Sequence, residues 1–145
     1  MANTIEELPI YAKATEFCVA IDAILLRPAF GKYRKLWEQI AEANDSITSN
    51  MCEGFEQPTD DAFARYLYIS KGSLREVCVR LRTAHRRRVI TGEELRSYLA
   101  TGEELGKMLG GFINYLARSG FKDRGRYQAK AKRNNGYGSS KRDPV

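Results

Sequence analysis

Apolar residues recur at steps of three and four in four separate segments, and this spacing constrains the fold more than any other feature. In the first segment the series is Ile10, Ala14, Phe17, Ile21 and Ile24. Residues at this spacing lie on one face of an α-helix and form a stripe that must be buried. No segment reads as a strand. The pattern therefore predicts an all-α protein built from four amphipathic helices.

Flanking residues predict where these helices begin and end. Pro9 suits the first position of a helix, and Pro28 ends the same segment. Thr59 is a suitable N-cap for the third helix, and Thr91-Gly92-Glu93-Glu94 has the pattern of a capping box. The predicted helices cover about residues 9–27, 32–56, 59–88 and 91–120. Because the connections are short, we expect an antiparallel up-down four-helix bundle.

The middle of the second helix is rich in residues that favour local side-chain hydrogen bonds over helix, from Asn44 to Asn50. The apolar stripe nevertheless continues in phase through Ala43, Ile47 and Met51. We therefore predict one unbroken helix. Asn50 then lies near the apolar face and needs a buried hydrogen-bond partner.

Gly102, Gly106 and Gly110 recur on one face of the fourth helix. Each glycine destabilises a helix by about 1 kcal/mol relative to alanine. The spacing predicts a close backbone approach to another helix. That helix could belong to the same bundle or to a neighbouring subunit.

The net charge of +6 is concentrated at one end of the chain. Residues 122–145 contain eight Lys and Arg and two Asp, whereas residues 1–121 contain sixteen basic and sixteen acidic residues. The C-terminal segment is rich in Gly, Asn and Ser and has too few apolar residues to fold alone. We therefore predict a bundle over residues 1–121 and a basic, flexible tail over residues 122–145.

The sequence offers little for catalysis. His85 is the single histidine, so no Ser-His-Asp set, zinc site or di-iron site is expected. Phosphate-binding and dinucleotide-binding glycine motifs are absent from the sequence. The acid pairs Glu93-Glu94 and Glu103-Glu104 are explained by solvated helix surface. We expect a protein that is not an enzyme and has no cofactor or metal.

Cys18, Cys52 and Cys78 are far apart in the sequence and are expected to be reduced, buried thiols. The longest apolar run is interrupted by Asp22 and falls short of the roughly 20 residues that span a bilayer. We therefore expect a cytoplasmic protein without a membrane segment.

The third helix carries the best candidate for a binding surface. Four of its cations, Lys71, Arg75, Arg82 and Arg86, fall within an arc of about 60°. Such a row can follow a phosphate backbone, and guanidinium groups suit phosphate. Further candidates are Arg80 and Arg87, which project from another side, and Arg88 in the last turn. Alternatively, the row is ordinary surface paired with acids of neighbouring helices.

The tail is a second candidate surface for RNA or DNA. Its basic residues alternate with small residues and two tyrosines, as in arms that clamp nucleic acid without sequence preference. The candidates are Arg124, Arg126, Lys130, Lys132 and Arg133. Alternatively, the tail only increases solubility.

A motif spans the second and third helices. It contains Asn50-Met51-Cys52-Glu53-Gly54 and, further on, Gly72-Ser73-Leu74-Arg75-Glu76. This resembles the four-helix-bundle family encoded in intervening sequences of bacterial 23S ribosomal RNA genes. More distantly, the family includes the accessory variability determinant of diversity-generating retroelements. Met51-Cys52 departs from the usual Ile-Ala, and the basic tail is outside the shared pattern.

The resemblance implies a cytoplasmic homo-oligomer, commonly a ring of five subunits. In the retroelement branch such rings bind nucleic acid and a reverse transcriptase. The motif itself has two interpretations, a structural role and ligand binding, and we favour the structural one. Asn50, Glu53 and Ser73 would join helices two and three through buried hydrogen bonds, and Gly54 and Gly72 would let the two backbones approach.

Our leading hypothesis is a non-enzymatic, homo-oligomeric protein that binds RNA or DNA through the arginine-rich face and the tail. The alternative is a protein–protein adaptor, for example an accessory subunit that docks a reverse transcriptase. A small-ligand pocket lined by Trp37 and Tyr66 is a third possibility, although core packing explains these aromatic residues as well.

Overall fold

A computed structural model describes residues 2–119 as four α-helices and two short 3-10 helices. The 3-10 helices cover Ile5–Glu7 and Pro28–Lys32. The α-helices are α1 Pro9–Ile24, α2 Arg34–Phe55, α3 Asp60–Arg86 and α4 Gly92–Arg118. The prediction of an all-α fold is confirmed.

The four helices form an antiparallel up-down bundle. Helix α2 packs against α3, α3 packs against α4, and α1 packs against both α2 and α4. Within residues 2–119 the diagonal pairs, α1 with α3 and α2 with α4, make no backbone contact. None of the helices described by the structure is long and apolar enough to cross a membrane.

The apolar stripes meet in one core. Ile21 of α1, Ile47 of α2, Leu67 of α3 and Leu105 of α4 are each completely shielded from solvent. Every α1 residue of the predicted stripe is buried. Burying a side chain of this size stabilises the fold by about 1.5–3 kcal/mol. The periodicity of the sequence thus predicts which face of each helix is buried.

Helix α2 is unbroken, as predicted, although its middle contains poor helix formers. The deeply buried amide is that of Asn44, which is 1% exposed and donates to the Cys18 carbonyl at 3.0 Å and to Asp22 at 3.0 Å. Asn50 is only half-buried and donates to the carbonyl and hydroxyl of Ser46 in its own helix, each at 2.8 Å. Asn50 therefore has the hydrogen-bond partner that was predicted, but the partner is only partly buried and belongs to the same helix.

Capping side chains fix the N-termini of α3 and α4. Thr59 Oγ1 accepts from the Ala62 N–H at 3.1 Å, and the predicted capping box at Thr91 and Glu94 is complete. Helix α1 ends at Ile24, earlier than predicted, and the chain then enters the second 3-10 helix. The early end frees Arg27 to turn toward the start of α4.

Arg27 connects the end of α1 to the start of α4 through hydrogen bonds. Its guanidinium donates to both carboxylate oxygens of Glu94, one of them at 3.0 Å, and to the Val89 carbonyl at 3.1 Å. Glu94 also accepts from the Thr91 N–H at 2.8 Å. These hydrogen bonds, from Arg27 first and Thr91 second, lower the pKa of Glu94 from 4.5 to about 2.

Because of this contact, the stability of the fold depends on pH in the acidic range. A carboxyl whose folded pKa is depressed stabilises the fold above its unfolded pKa, and this contribution is lost as the pH falls from about 4.5 toward 2. We expect Glu94→Gln to reduce stability by about 1 kcal/mol at pH 7, because the partners are partly solvent-exposed. Urea unfolding at pH 7 and pH 2.5 measures both effects. The free energies of unfolding of the wild type and the variant should be nearly equal at the lower pH. An equal difference at both pH values would contradict the lowered pKa of Glu94.

All three cysteines are free. Cys18 is buried, and burial first, with Asp22 and Asp45 next, raises the pKa of its thiol to about 12. Cys52 and Cys78 are only half-buried, so the prediction that all three thiols are buried is wrong for these two. The neutral thiol of Cys18 therefore packs as a small apolar group.

Candidate nucleic-acid interface

A groove of about 910 Å³ runs between α3 and α4. The α4 side is formed in part by Gly102, Gly106 and Gly110, which we call the glycine floor. Leu74 and Cys78 of α3 also line the groove. A stripe without side chains on one of two adjacent helices leaves a channel between them.

The glycine floor has two parts with different packing. A methyl group at Gly102 would lie 2.8 Å from Cys78 Sγ, so the helices approach closely there. At Gly106 a methyl group would be 3.7 Å from Leu74 Cδ2, and at Gly110 it would be 3.6 Å from Lys71 Cε, which are ordinary contacts. The predicted close approach is therefore found only at Gly102. The other two glycines keep the groove open.

Three of the predicted cations, Lys71, Arg75 and Arg82, line the groove, and we call them the cationic wall. Arg86 follows one turn beyond Arg82 and is exposed. Across residues 2–119, none of these four side chains lies within ion-pair distance of a carboxylate. Their charges are therefore not neutralised by direct pairing, as they would be in an ordinary paired surface.

The opposite side of the groove belongs to α4. Lys107 and Glu103 both line it and face each other at 3.9 Å as an exposed pair. The net charge of the lining thus comes from the cationic wall. A groove with an excess of positive charge attracts polyanions.

Arg80 does not share this surface. Its Nε lies 3.5 Å from Glu76, one turn earlier in α3, and the side chain is partly buried. Arg80 and Arg82 are two positions apart, so they point in nearly opposite directions around the helix. Among the predicted binding residues between 2 and 119, Arg80 is the one paired with a carboxylate, and the groove does not include it.

One end of the bundle is strongly basic. It comprises residues 25–35 and 82–96, which we call the basic end, and these contain nine Lys and Arg and two Glu. The end collects cations from three elements that are distant in the sequence. The residues not identified from the sequence are Arg27, Lys32, Arg34, Lys35 and Arg96.

The opposite end of the bundle is acidic. Residues 2–8, 53–61 and 114–119 contain six Asp and Glu and a single basic residue, Arg118. The bundle is therefore neutral in sum but electrically polarised. The neutrality of residues 1–121 does not argue against a polyanion surface, because the basic end has a net charge of +7 and the acidic end a net charge of −5.

Arg87 and Arg88 lie in the turn that closes α3 at the basic end. The Arg87 guanidinium lies 5.0 Å from the centre of the Tyr33 ring, a cation–π contact. Arg88 adopts φ 65°, the left-handed conformation that usually requires glycine at this position. The Val89 N–H donates to the Ala84 carbonyl at 2.9 Å and completes the C-cap. An arginine is thus held where glycine would be less strained.

Three of the four acidic residues in the pairs identified from the sequence have electrostatic partners on the bundle surface. Glu94 binds Arg27, Glu103 faces Lys107, and Glu104 lies 3.6 Å from Lys13. Within the part of the chain that the structure describes, no group of three or more His, Cys, Asp or Glu side chains could hold a metal ion.

Trp37 and Tyr66 do not share a pocket. Trp37 is in the first turn of α2, at the basic end, whereas Tyr66 packs beside Gly54 in the last turn of that helix. The hypothesis of one ligand pocket formed by both aromatic residues is therefore wrong.

Comparison with known proteins identifies the family. A family model described as 23S rRNA-intervening sequence protein matches residues 6–111, well over half of the chain. The chain belongs to this family. A crystal structure of a protein of unknown function from the S23 ribosomal protein family of Bacteroides thetaiotaomicron has a TM-score of 0.64 and 24% sequence identity. The match covers 72% of this chain and 97% of that one and supports the fold. A search of curated protein sequences found no significant match.

In this member of the 23S rRNA-intervening sequence family, the motif joins α2 to α3 through hydroxyl groups. Ser73 donates to the Ser46 hydroxyl at 2.7 Å, and Asn50 donates to the same oxygen. Ser70 adds a buried bond to the Ile47 carbonyl at 2.8 Å. Ser73 and Asn50 were predicted to take part in this cross-link, and Ser46 and Ser70 complete it.

Two predictions about the motif are wrong. Glu53 is exposed and is not part of a buried cross-link. Gly72 is also exposed, and a methyl group there would meet nothing within 4 Å, so it does not allow a close approach. Gly54 does, because a methyl group would lie 2.7 Å from Tyr66 Cβ. Glu76, the last motif residue, pairs with Arg80.

The cationic wall lies within the matched residues 6–111. The candidate tail residues, Arg124, Arg126, Lys130, Lys132 and Arg133, lie outside both that match and the described residues.

Proposed function

We propose that this protein binds RNA or DNA without catalysing a reaction, and that the groove between α3 and α4 receives the phosphate backbone. The observation that carries the proposal is the cationic wall. Lys71, Arg75 and Arg82 line a channel with no paired acid among the described residues, and the channel leads toward the basic end. Phosphate contacts supply most of the sequence-independent affinity for nucleic acid.

The polarity of the bundle supports the same function. A polyanion is attracted to the basic end and repelled by the acidic end, which favours one orientation on the protein. The tail, with a net charge of +6 over residues 122–145, adds a second electrostatic contact. Linking two weak contacts in one chain raises the overall affinity.

The test is a gel shift or anisotropy titration of Arg75→Gln/Arg82→Gln against structured RNA and duplex DNA at several salt concentrations. Losing two phosphate contacts should lower affinity about tenfold and reduce the slope of log K against log salt by about 2. Arg65→Gln/Arg118→Gln is the matched control, because it removes the same charge away from the groove. Equal losses in both variants would show that only the net charge matters.

Removing the tail after Phe121 tests the second contact separately. We expect a further loss of affinity and a smaller salt slope, because eight cations are removed. An unchanged slope would show that the tail does not contact nucleic acid.

A protein–protein role is the second candidate, and it includes a homo-oligomer such as a pentamer or docking of a reverse transcriptase. It is favoured by apolar side chains on the outside of the bundle. Ile69 and Val79 on α3 are 50% and 49% exposed, and Leu26 is 83% exposed. Light scattering would show the subunit number, and a stable monomer would contradict the oligomer.

A further inference from the structure

A small pocket lies at the basic end, apart from the groove. It has a volume of about 390 Å³ and is formed by the 3-10 helix Pro28–Lys32 and the first turn of α2. Its lining includes Leu25, Phe30, Gly31 and Trp37. Ligand pockets range from roughly 300 to 1,000 Å³, so this one suits a single ring system.

Trp37 is fixed in a defined orientation. Its indole N–H donates to the Leu25 carbonyl at 2.8 Å, so the polar edge of the ring is satisfied by the protein. The side chain remains 39% exposed, which is unusual for the largest aromatic residue in a bundle of this kind. A preset aromatic surface loses little conformational freedom when a planar ring stacks on it.

The charges around the pocket indicate an anionic ligand. Arg27 and Arg34 also line the pocket, and Lys32 is an exposed residue of the 3-10 helix that forms it. Arg27 is held by Glu94 and is not available. Arg34 has an 83% exposed side chain, and its contact with Glu38 at 3.5 Å is a weak surface pair. Arg34 is therefore an available cation of the lining, at the end of the bundle where basic residues outnumber acidic ones.

An aromatic surface surrounded by cations is the chemistry that binds single-stranded nucleic acid. The ring stacks on one base, and the cations contact the phosphates on either side. A paired base in a duplex is stacked on both faces and cannot enter the pocket. The groove does not require an unpaired base, because in the proposed function it contacts only the phosphate backbone of the nucleic acid.

We propose that the Trp37 pocket takes one unpaired nucleobase, and that the protein therefore prefers single-stranded segments over duplex. This inference rests on the proposed function and names the kind of nucleic acid that the protein selects. Arg34 and Lys32 are the phosphate contacts of that segment.

Trp37 is the only tryptophan in the chain, so its fluorescence reports the pocket directly. The full-length protein is titrated with a single-stranded RNA decamer, the DNA decamer of the same sequence and the corresponding DNA duplex. Stacking should quench the fluorescence with both single strands and not with the duplex. Equal affinities for the RNA and DNA decamers would show that the base and phosphate suffice, whereas a preference for RNA would add a contact to the 2′-hydroxyl.

The variant Gly31→Leu should fill the pocket while Trp37 remains as the fluorescent reporter. A methyl group at Gly31 meets nothing within 4 Å, so the fold should be unchanged. We expect the single-strand affinity to fall about tenfold while the duplex affinity stays the same. Ala29→Leu, an exposed position of the same 3-10 helix outside the lining, is the matched control. Trp37→Leu should reproduce the loss in a gel shift.

The outcomes separate the two proposals. If single strands bind without quenching and Gly31→Leu binds them as tightly as the wild type, the pocket proposal is wrong and groove binding stands. If Arg75→Gln/Arg82→Gln weakens duplex binding while Gly31→Leu weakens only single-strand binding, both proposals are supported. If no nucleic acid binds in any titration, both are wrong.

Discussion

Gly54→Ala should destabilise the protein by about 2 kcal/mol, although it adds a single methyl group and replaces glycine inside a helix. The methyl group would lie 2.7 Å from Tyr66 Cβ and 2.8 Å from Phe63 Cδ1. Tyr66 Cβ is attached directly to the α3 backbone and cannot rotate away, so the two helices must separate. Overpacking of this kind destabilises by about 1–3 kcal/mol or more and exceeds the gain of about 1 kcal/mol from helix propensity.

Gly72→Ala is the matched control, because the sequence motif assigned the same role to both glycines. Nothing lies within 4 Å of a methyl group at Gly72, so only the helix propensity changes. We expect stability to rise by up to about 1 kcal/mol. Urea unfolding of the two variants and the wild type measures these effects. If both variants change the free energy of unfolding in the same direction, the close approach of α2 and α3 at Gly54 is contradicted.

The periodicity of the sequence was sufficient to predict the bundle, because a stripe at helical spacing has only one face to bury. Finer placement depends on neighbouring helices. Asn44 and Asn50 are equally poor helix formers, yet only Asn44 faces α1, where the Cys18 carbonyl accepts its hydrogen bond. Arg27 beyond the end of α1 pairs with Glu94 across 67 positions of the chain. No local pattern contains that information.

The candidate site was predictable in part for the same reason. The angle of 100° per residue placed Lys71, Arg75 and Arg82 on one face of α3. That this face borders the glycine floor depends on how α4 is rotated. Lys32 and Arg34 belong to the basic end only because the up-down topology brings the connection before α2 near the end of α3. Combining the predicted topology with the charge of each connection would have found them.

The two open glycines of the floor provide the strongest test of the groove. We expect Gly106→Glu/Gly110→Glu to lower nucleic-acid affinity roughly 30-fold or more at low salt, which corresponds to about 2 kcal/mol. The carboxylates would enter the groove beside Lys71 and Leu74, neutralise the cationic wall and repel phosphate. The loss should shrink at high salt, because screening weakens the repulsion. Anisotropy titrations at two salt concentrations measure both effects.

The free energy of unfolding of Gly106→Glu/Gly110→Glu should rise while its affinity for nucleic acid falls. Misfolding would therefore not explain the loss of binding. A side chain at either position makes only ordinary contacts at its first carbon, and each replacement of glycine favours helix by up to about 1 kcal/mol. Gly106→Ala/Gly110→Ala should gain the same stability and keep most of the affinity. Ala100→Glu/Ala117→Glu adds equal charge at exposed positions of α4 that do not line the groove. If that control weakens binding as strongly as the glycine-floor variant, nucleic acid responds to the overall charge and does not occupy the groove.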